Sequence, residues 1–214
     1  LEHAILPILP FIKRQLIAYS VVAFLAVLVV GLRIVARLVT GSRLGWDDYL
    51  ILAAVPQAVV ILTCGGLWST AGAGYHRDAI PVENQQFIST IFIPFSLIYD
   101  MCIVTTKLSV LSFYLRVFTH GITRQATKYM MVLVAIWGLG NFLQSLLVCH
   151  LHDGHFETGI GQCKNKTASS VASGIYNCTT NMIINCLPLF TIWSLKTVSV
   201  STRLGLSGVF LLSL

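Results

Sequence analysis

Charged side chains are scarce in this sequence. Only 10% of its 214 residues are Asp, Glu, Lys or Arg, and 56% are hydrophobic, whereas soluble domains carry about 25% charged residues. This balance argues against a soluble domain and for a membrane protein. The net charge of +6 does not indicate a nucleic-acid partner, because the basic residues form no patch and no known nucleic-acid motif.

The sequence also lacks the short motifs of familiar enzymes. It has no P-loop, no dinucleotide fingerprint, no Gly-x-Ser-x-Gly and no His-Glu-x-x-His element, so nucleotide chemistry and hydrolysis by a standard apparatus are not expected. No cofactor is predicted. The cluster of His150, His152, Asp153 and His155 could bind Zn²⁺ or Cu²⁺, but its spacing matches no established site. A solvated polar loop is preferred there, and no metal site is predicted.

Long apolar runs dominate what is present. Spanning a bilayer takes about 20 mostly apolar residues, and such runs are helices because backbone groups in hydrocarbon must be satisfied within the segment. Five runs and the start of a sixth cover residues 17–39, 49–68, 87–114, 129–149, 171–195 and 203–214. The predicted fold is an all-α, polytopic transmembrane helix bundle that follows an N-terminal segment, residues 1–16. Because the sixth run is cut off, we expect a longer natural protein.

The connections between the runs predict the orientation of the chain. Seven Lys or Arg lie on one side of the membrane and five on the other: Arg37, Arg43, Arg116, Arg124, Lys128, Lys196 and Arg203 against Lys13, Arg14, Arg77, Lys164 and Lys166. The positive-inside rule then places the N-terminus outside or in the lumen. Cys149 and Cys163 flank a polar outer loop beside the glycosylation sequon at Asn165, and a disulfide and a glycan both belong on that side. Two free thiols and an unused sequon are the alternative.

Two charged residues lie inside the third run. Asp100 is about 13 residues, or roughly 20 Å, from either end of that helix, where a charge costs on the order of 2.5 to 3.5 kcal/mol. It should therefore face the bundle or a wet cavity. Lys107 lies about 20° around the helix and about 10.5 Å along it, so we expect a third group between the two. A structural role is preferred for Lys107, whereas Asp100 is either functional or a protonated, hydrogen-bonding acid.

Further polar side chains recur at helical spacing on the fourth and fifth runs. Residues three or four apart share one face of a helix, and with the two charges of the third run they predict a polar chamber between helices three, four and five. Interhelical hydrogen bonding is the structural alternative for the asparagines. The candidate ligand-binding residues are Asp100, Lys107, Asn141, Gln144, Asn177, Asn181, Asn185 and, from an outer loop, His76.

Four charged residues lie close in sequence between the first two runs: Arg33, Arg37, Asp47 and Asp48. Carboxylates at the start of a helix cap free backbone amides and offset the helix dipole. We predict a structural charge clamp that holds the turn between helices one and two.

In the segments RIVARLVTGSRLGWDDYLILAA and KLSVLSFYLRVF the chain resembles the fungal rhodopsin-domain family, seven-helix membrane proteins that include receptor-like proteins of plant pathogens. The resemblance rests on Arg33, Arg37, Gly45-Trp46-Asp47-Asp48, Gly74, His76, Lys107, Ser109, Tyr114, Arg116, Leu187-Pro188 and the loop cysteines Cys149 and Cys163. It implies a seven-helix bundle with the last helices truncated here, an outside N-terminus and a fungal source. It does not imply retinal.

Two positions depart from the family pattern. The family usually has an aspartate where this chain has Asn181, and a neutral residue, often asparagine, where this chain has Asp100. Lys107 belongs to the common scaffold under this resemblance, whereas Asp100 is particular to this protein.

Two functional hypotheses follow. The first is a receptor-like or sensor protein of the plasma membrane or an endomembrane, in which a small lipophilic ligand occupies the chamber and a cytosolic signalling partner meets the Arg116 side. The second is an intramembrane enzyme of secondary metabolism, a non-hydrolytic cyclase or isomerase with a lipophilic substrate and Asp100 as general acid or base. The first is preferred. Neighbouring genes that encode biosynthetic enzymes would favour the second.

Overall fold

The structure of the protein is a computed structural model that describes residues 7–72, 74–75, 80–118, 121–150 and 166–194. The described residues form five α-helices: α1 (Pro10–Val39), α2 (Trp46–Thr70), α3 (Val82–Val117), α4 (Ile122–His150) and α5 (Lys166–Ser194). No strand occurs in these ranges. The predicted all-α class is confirmed.

Four helices in the described part of the chain are long and apolar enough to cross a membrane. They are α1, α2, α3 and the part of α4 from Ile122 to Gln144. Helix α5 is not among them, because asparagines and threonines along it lower its hydropathy. The transmembrane helix bundle is therefore confirmed on four helices, and the fifth span stays a prediction. The predicted sixth run, 203–214, lies outside the described residues.

The helices extend beyond the apolar runs that predicted them. Helix α1 begins at Pro10, inside the segment 1–16 that was assigned to an N-terminal extension. Helix α3 contains 36 residues, or roughly 54 Å at 1.5 Å per residue, whereas the hydrocarbon core is about 30 Å thick. Hydropathy marks only the part of a helix that lies in lipid. Its ends follow backbone signals, such as Pro10 in the first turn of α1 and Gly41, at φ 63°, just after it.

The chain divides into two compact units. The first comprises Leu1–Ser109 and Gly138–Cys163, and the second comprises Val110–Trp137 and Lys164–Leu214. Helices α1 and α2 belong to the first unit and α5 belongs to the second, while α3 and α4 each contribute to both.

Within the first unit, α3 packs closely against its neighbours. A Cβ on Gly138 of α4 would lie 2.5 Å from Cγ2 of Val104 on α3, so only glycine fits this crossing without movement. Trp68 of α2 forms T-shaped ring pairs with Phe92 and Phe95 of α3, at centroid distances of 5.7 and 5.5 Å. These contacts set the position of the middle of α3 between α2 and the second half of α4.

Within the second unit, α4 and α5 meet through aromatic rings. Tyr176 stacks on Trp137 with centroids 5.0 Å apart and an interplanar angle of 16°. Its hydroxyl donates a hydrogen bond of 3.0 Å to the carbonyl oxygen of Leu133. The contact therefore combines a stacked ring pair with an interhelical hydrogen bond.

Candidate functional site

Four of the predicted residues meet where α1 ends and α2 begins. Arg33 Nη2 lies 2.6 Å from Asp47 Oδ2, and Arg33 Nε lies 3.0 Å from Asp48 Oδ1. Arg37 stands further away, at 3.5 Å from Asp47 and 3.6 Å from Asp48. Asp47 and Asp48 are 2% and 0% exposed. Two cations thus face two buried carboxylates, and the charges of the cluster balance.

Local sequence explains this arrangement. Arg33 and Arg37 are four residues apart and share one face of α1. Asp48 lies in the first turn of α2, where its carboxylate accepts a hydrogen bond of 3.1 Å from the Gly45 N–H and caps the helix. Ser109 of α3 donates a hydrogen bond of 2.7 Å to the Asp47 carbonyl oxygen. Both carboxylates are occupied by these contacts, which suits the proposed clamp better than a catalytic role.

A second polar contact lies between α3 and α4. The Asn141 side-chain amide donates a hydrogen bond to the Asp100 carboxylate, and both side chains are half-buried. Of the eight residues assigned to the chamber, these two are brought together in the first unit. Lys107 lies two turns further along α3 and is buried. Gln144, one turn after Asn141 on α4, is exposed.

The asparagines of α5 are not equally buried. Asn177 and Asn185 are half-buried, whereas Asn181 is exposed. Beside them, the buried Thr180 hydroxyl bonds to carbonyl oxygens of its own helix, at 2.9 Å from Tyr176 and 3.0 Å from Asn177. Their participation in a chamber with α3 and α4 stays a prediction.

An apolar groove is formed by residues of α2, α3 and α4. It is shallow and open, has a volume of about 300 Å³ and is lined by Gln57, Leu97, Ile98, Met101 and Phe142. Phe142 follows Asn141 directly. Because successive helical residues are about 100° apart, Asp100 lies about 60° around α3 from Leu97. Asp100 and Asn141 are not among the lining residues, but each directly precedes one of them, Met101 and Phe142.

Gln57 is the lining residue that sequence analysis missed. It is the only amide side chain of α2, and it directly follows Pro56 in the middle of an apolar run. A lone amide at mid-helix in a membrane span is a signal for a functional position, and it could have been read from the sequence.

The chemistry available at this place is proton transfer. A carboxylate that accepts a hydrogen bond from an amide can exchange a proton with a molecule bound near it. In the part of the chain that the structure describes, no group of three His, Cys, Asp or Glu could hold a metal ion.

Several predicted residues lie outside the described residues, namely His76, Cys163 and Asn165, and only the backbone of Cys149 is described. Among the described cysteines, Cys64, Cys102, Cys178 and Cys186 form no disulfide. The Cys149–Cys163 disulfide and the Asn165 glycan stay predictions.

Comparison with known proteins identifies the family. Residues 32–214 match the family described as the fungal rhodopsin domain. The chain belongs to the fungal rhodopsin-domain family. The predicted resemblance is confirmed. The match includes the charged cluster of Arg33, Arg37, Asp47 and Asp48 between α1 and α2, and it includes residues of both units of the fold.

Three relatives are informative. A SAT4 family membrane protein of Emericella nidulans is 25% identical over 78% of this chain and 41% of its own length. The polyenoic acids biosynthesis gene cluster protein Ba17b of Metarhizium anisopliae is 30% identical over 87% of this chain and 53% of its own length. The phomoidride biosynthesis cluster protein H of a fungal species is 28% identical over 60% of this chain and 57% of its own length.

The chain spans about half the length of these curated relatives. No solved structure matches it. Two of these relatives are named for biosynthesis clusters.

Proposed function

We propose that this protein is an integral membrane enzyme of fungal secondary metabolism, an isomerase or cyclase that binds a lipophilic intermediate and moves a proton on it through Asp100. The observation that carries the proposal is the hydrogen bond from Asn141 to the Asp100 carboxylate, two residues that directly precede Phe142 and Met101 of the apolar groove.

The geometry supports a catalytic carboxylate more than a structural one. At the junction of α1 and α2, both carboxylates are buried and each contacts two guanidinium groups. Asp100 instead is half-buried and receives its hydrogen bond from a neutral amide. An acid that is held in place by a neutral amide is suited to give and take protons.

The proposed step is a proton shift. The Asp100 carboxylate removes a proton from a carbon beside an unsaturated group, the double bond migrates, and the protonated Asp100 returns the proton to the far carbon. One C–H bond breaks and another forms, so the step needs no oxidant, reductant or co-reactant. Asn141 orients the carboxylate. Lys107, Gln144, His76 and the three α5 asparagines are retained as proposed contacts of the polar groups of the ligand.

The names of the relatives add independent support. Two of them are named for biosynthesis clusters of polyenoic acids and phomoidride, and we expect a membrane protein of such a cluster to act on a lipophilic intermediate. The substrate class proposed for this chain is therefore an unsaturated, lipophilic intermediate that partitions into the bilayer.

Replacement of the gene in its native fungus tests the proposal. A deletion strain is complemented with the wild-type gene, with Asp100→Asn or with Tyr99→Phe, and metabolites are profiled by liquid chromatography and mass spectrometry. Deletion and Asp100→Asn should accumulate a precursor of unchanged mass relative to the lost product. Tyr99→Phe, the neighbouring and exposed control, should behave as wild type. Full product formation with Asp100→Asn would contradict the proposal.

A receptor-like protein is the second candidate. Arg116, at the end of α3, is exposed and offers a positive contact for a cytosolic signalling partner. The same strains discriminate between the two functions. Loss of a sensor lowers the whole pathway together with the transcripts of its enzymes, and no single intermediate accumulates.

The proposed orientation places the N-terminus on the outer or lumenal side, with the Cys149–Cys163 disulfide and a glycan on Asn165. Asn165→Gln should increase electrophoretic mobility to that of the protein treated with a glycosidase. Asn177-Cys178-Thr179 also has the form of a sequon but lies inside α5, so Asn177→Gln should leave the mobility unchanged. If Asn165→Gln also leaves it unchanged, while the glycosidase has no effect, the glycan assignment is wrong.

A further inference from the structure

The side-chain oxygen of Gln57 is buried, and none of the described residues donates a hydrogen bond to it. The same side chain forms part of the wall of the apolar groove, opposite Leu97, Ile98 and Met101 of α3. Gln57 is therefore the one polar side chain among the residues that line the groove, whose other lining side chains are aliphatic, a thioether and one aromatic ring.

An amide oxygen in this position is costly. Burial of an amide without a hydrogen bond costs about 1 to 3 kcal/mol in proteins, and the helix places Gln57 at the middle of a span, where water is scarce. The terminal torsion of glutamine is broad, so a small rotation turns the oxygen into the groove. A molecule that brings an O–H into the groove would remove this cost.

We propose that the groove is a binding subsite for a lipophilic alcohol, in which Gln57 accepts a hydrogen bond from the hydroxyl and the hydrocarbon chain lies against Leu97, Met101 and Phe142. This inference rests on the proposed function in one respect: only the proposed function places the reacting carbon of the bound molecule beside Asp100. The hydroxyl subsite itself stands on the groove and on Gln57.

The size and character of the groove favour this occupant. A volume of about 300 Å³ is at the lower end of the range for small-molecule sites, and Met101 is 45% exposed, so the groove is open along one side. A chain longer than the groove can extend through this opening. The walls contain no cationic side chain, which disfavours a carboxylate and selects a neutral donor.

Binding of two matched probes tests the subsite. The full natural chain is reconstituted in nanodiscs of dimyristoyl phosphatidylcholine and titrated with a fluorescent conjugated-tetraene C18 alcohol and with its methyl ether, which has the same chain but no O–H. The wild-type protein should bind the alcohol about tenfold more tightly, as one hydrogen bond of ordinary strength requires.

Two variants locate the hydroxyl contact. Gln57→Leu should bind the alcohol as weakly as the ether and leave ether binding within about twofold. Gln86→Leu, the same change at an exposed position of α3, should retain the tenfold preference. Thermal unfolding of each variant verifies that it is folded. Should Gln57→Leu fail to fold, the comparison of alcohol and ether on the wild-type protein still decides, because equal binding overturns the proposal.

Asp100→Asn separates this inference from the proposed function. The variant should keep the preference for the alcohol, because the subsite does not use the carboxylate. If the preference disappears with Asp100→Asn and persists with Gln57→Leu, the hydroxyl contact is assigned to the wrong residue. Normal product formation by Asp100→Asn in the fungus would overturn the proton shift and leave the alcohol subsite intact.

Discussion

The hydroxyl of Ser109 donates a hydrogen bond of 2.7 Å to the main-chain carbonyl oxygen of Asp47. The two residues are 62 positions apart in the sequence, and both are buried. Ser109 thereby ties α3 to the first turn of α2, the same turn whose carboxylates contact Arg33 of α1. Three helices converge at this junction.

Loss of the Ser109 hydroxyl should loosen the junction. Ser109→Ala removes one buried hydrogen bond and should lower the free energy of unfolding by about 1 kcal/mol, measured by denaturant titration of the purified protein in detergent. Thr106→Ala is the matched control, because Thr106 is exposed and its hydroxyl bonds to the Cys102 carbonyl of its own helix. The control should change stability by less than about 0.5 kcal/mol. Equal effects of the two substitutions would contradict the assigned contact.

The two arginines of the junction should differ in their contribution to stability. Arg33→Ala leaves two buried carboxylates without their closest cation and should cost about 3 kcal/mol. Arg37 stands 3.5 and 3.6 Å from the same carboxylates, and Arg37→Ala should cost about 1 kcal/mol. The same denaturant titration measures both. A larger loss from Arg37→Ala than from Arg33→Ala would show that the short contacts of Arg33 do not dominate the cluster.

The position of the helices could be predicted because membrane spans are marked by hydropathy alone. The run 49–68 became α2 over Trp46–Thr70, with both ends within three residues. The proximity of the arginines to Asp47 and Asp48 is also local, because only six residues, 40–45, connect α1 and α2.

Contacts that depend on the rotation of one helix against another could not be predicted in this way. Hydropathy is nearly uniform around α2 and α3, so the pattern does not tell which side of either helix faces its neighbour. The partner of Ser109 and the position of Gln57 in the groove both depend on that rotation. The polarity of Asp100 and Asn141 did predict that the two residues lie near each other, because polar side chains inside membrane spans face the interior of the bundle and pair there.

The crossing of α3 and α4 at Gly138 gives a prediction about packing. Gly138→Ala places a Cβ 2.5 Å from Cγ2 of Val104 and should cost about 1 to 3 kcal/mol through overpacking. Gly140→Ala, two residues further on, meets no atom within 4 Å and should be neutral or stabilise by up to about 1 kcal/mol through helix propensity.

A second substitution at Val104 tests the cause of the Gly138→Ala effect. Val104→Ala creates the missing space, so the double variant should recover most of the loss, and the two changes should be strongly non-additive. The double-mutant cycle is completed by measuring the free energy of unfolding of the wild-type protein, the two single variants and the double variant. Additive losses would mean that Gly138 matters for a reason other than its contact with Val104.

The hydrogen bond from Asn141 to Asp100 predicts how their substitutions combine in the fungus. If Asn141 acts by orienting the Asp100 carboxylate, Asn141→Ala should lower product formation about tenfold, as the loss of one hydrogen bond of about 1.4 kcal/mol predicts, and should raise the ratio of precursor to product. Asp100→Asn should abolish the conversion, and the double variant should be no worse, because residues that act as a unit are non-additive. Asn141→Asp keeps a side chain of the same size but replaces the amide donor by a second acid, so it should not restore product formation. A double variant that loses residual conversion still present in Asp100→Asn would show that Asn141 acts on the substrate independently of Asp100.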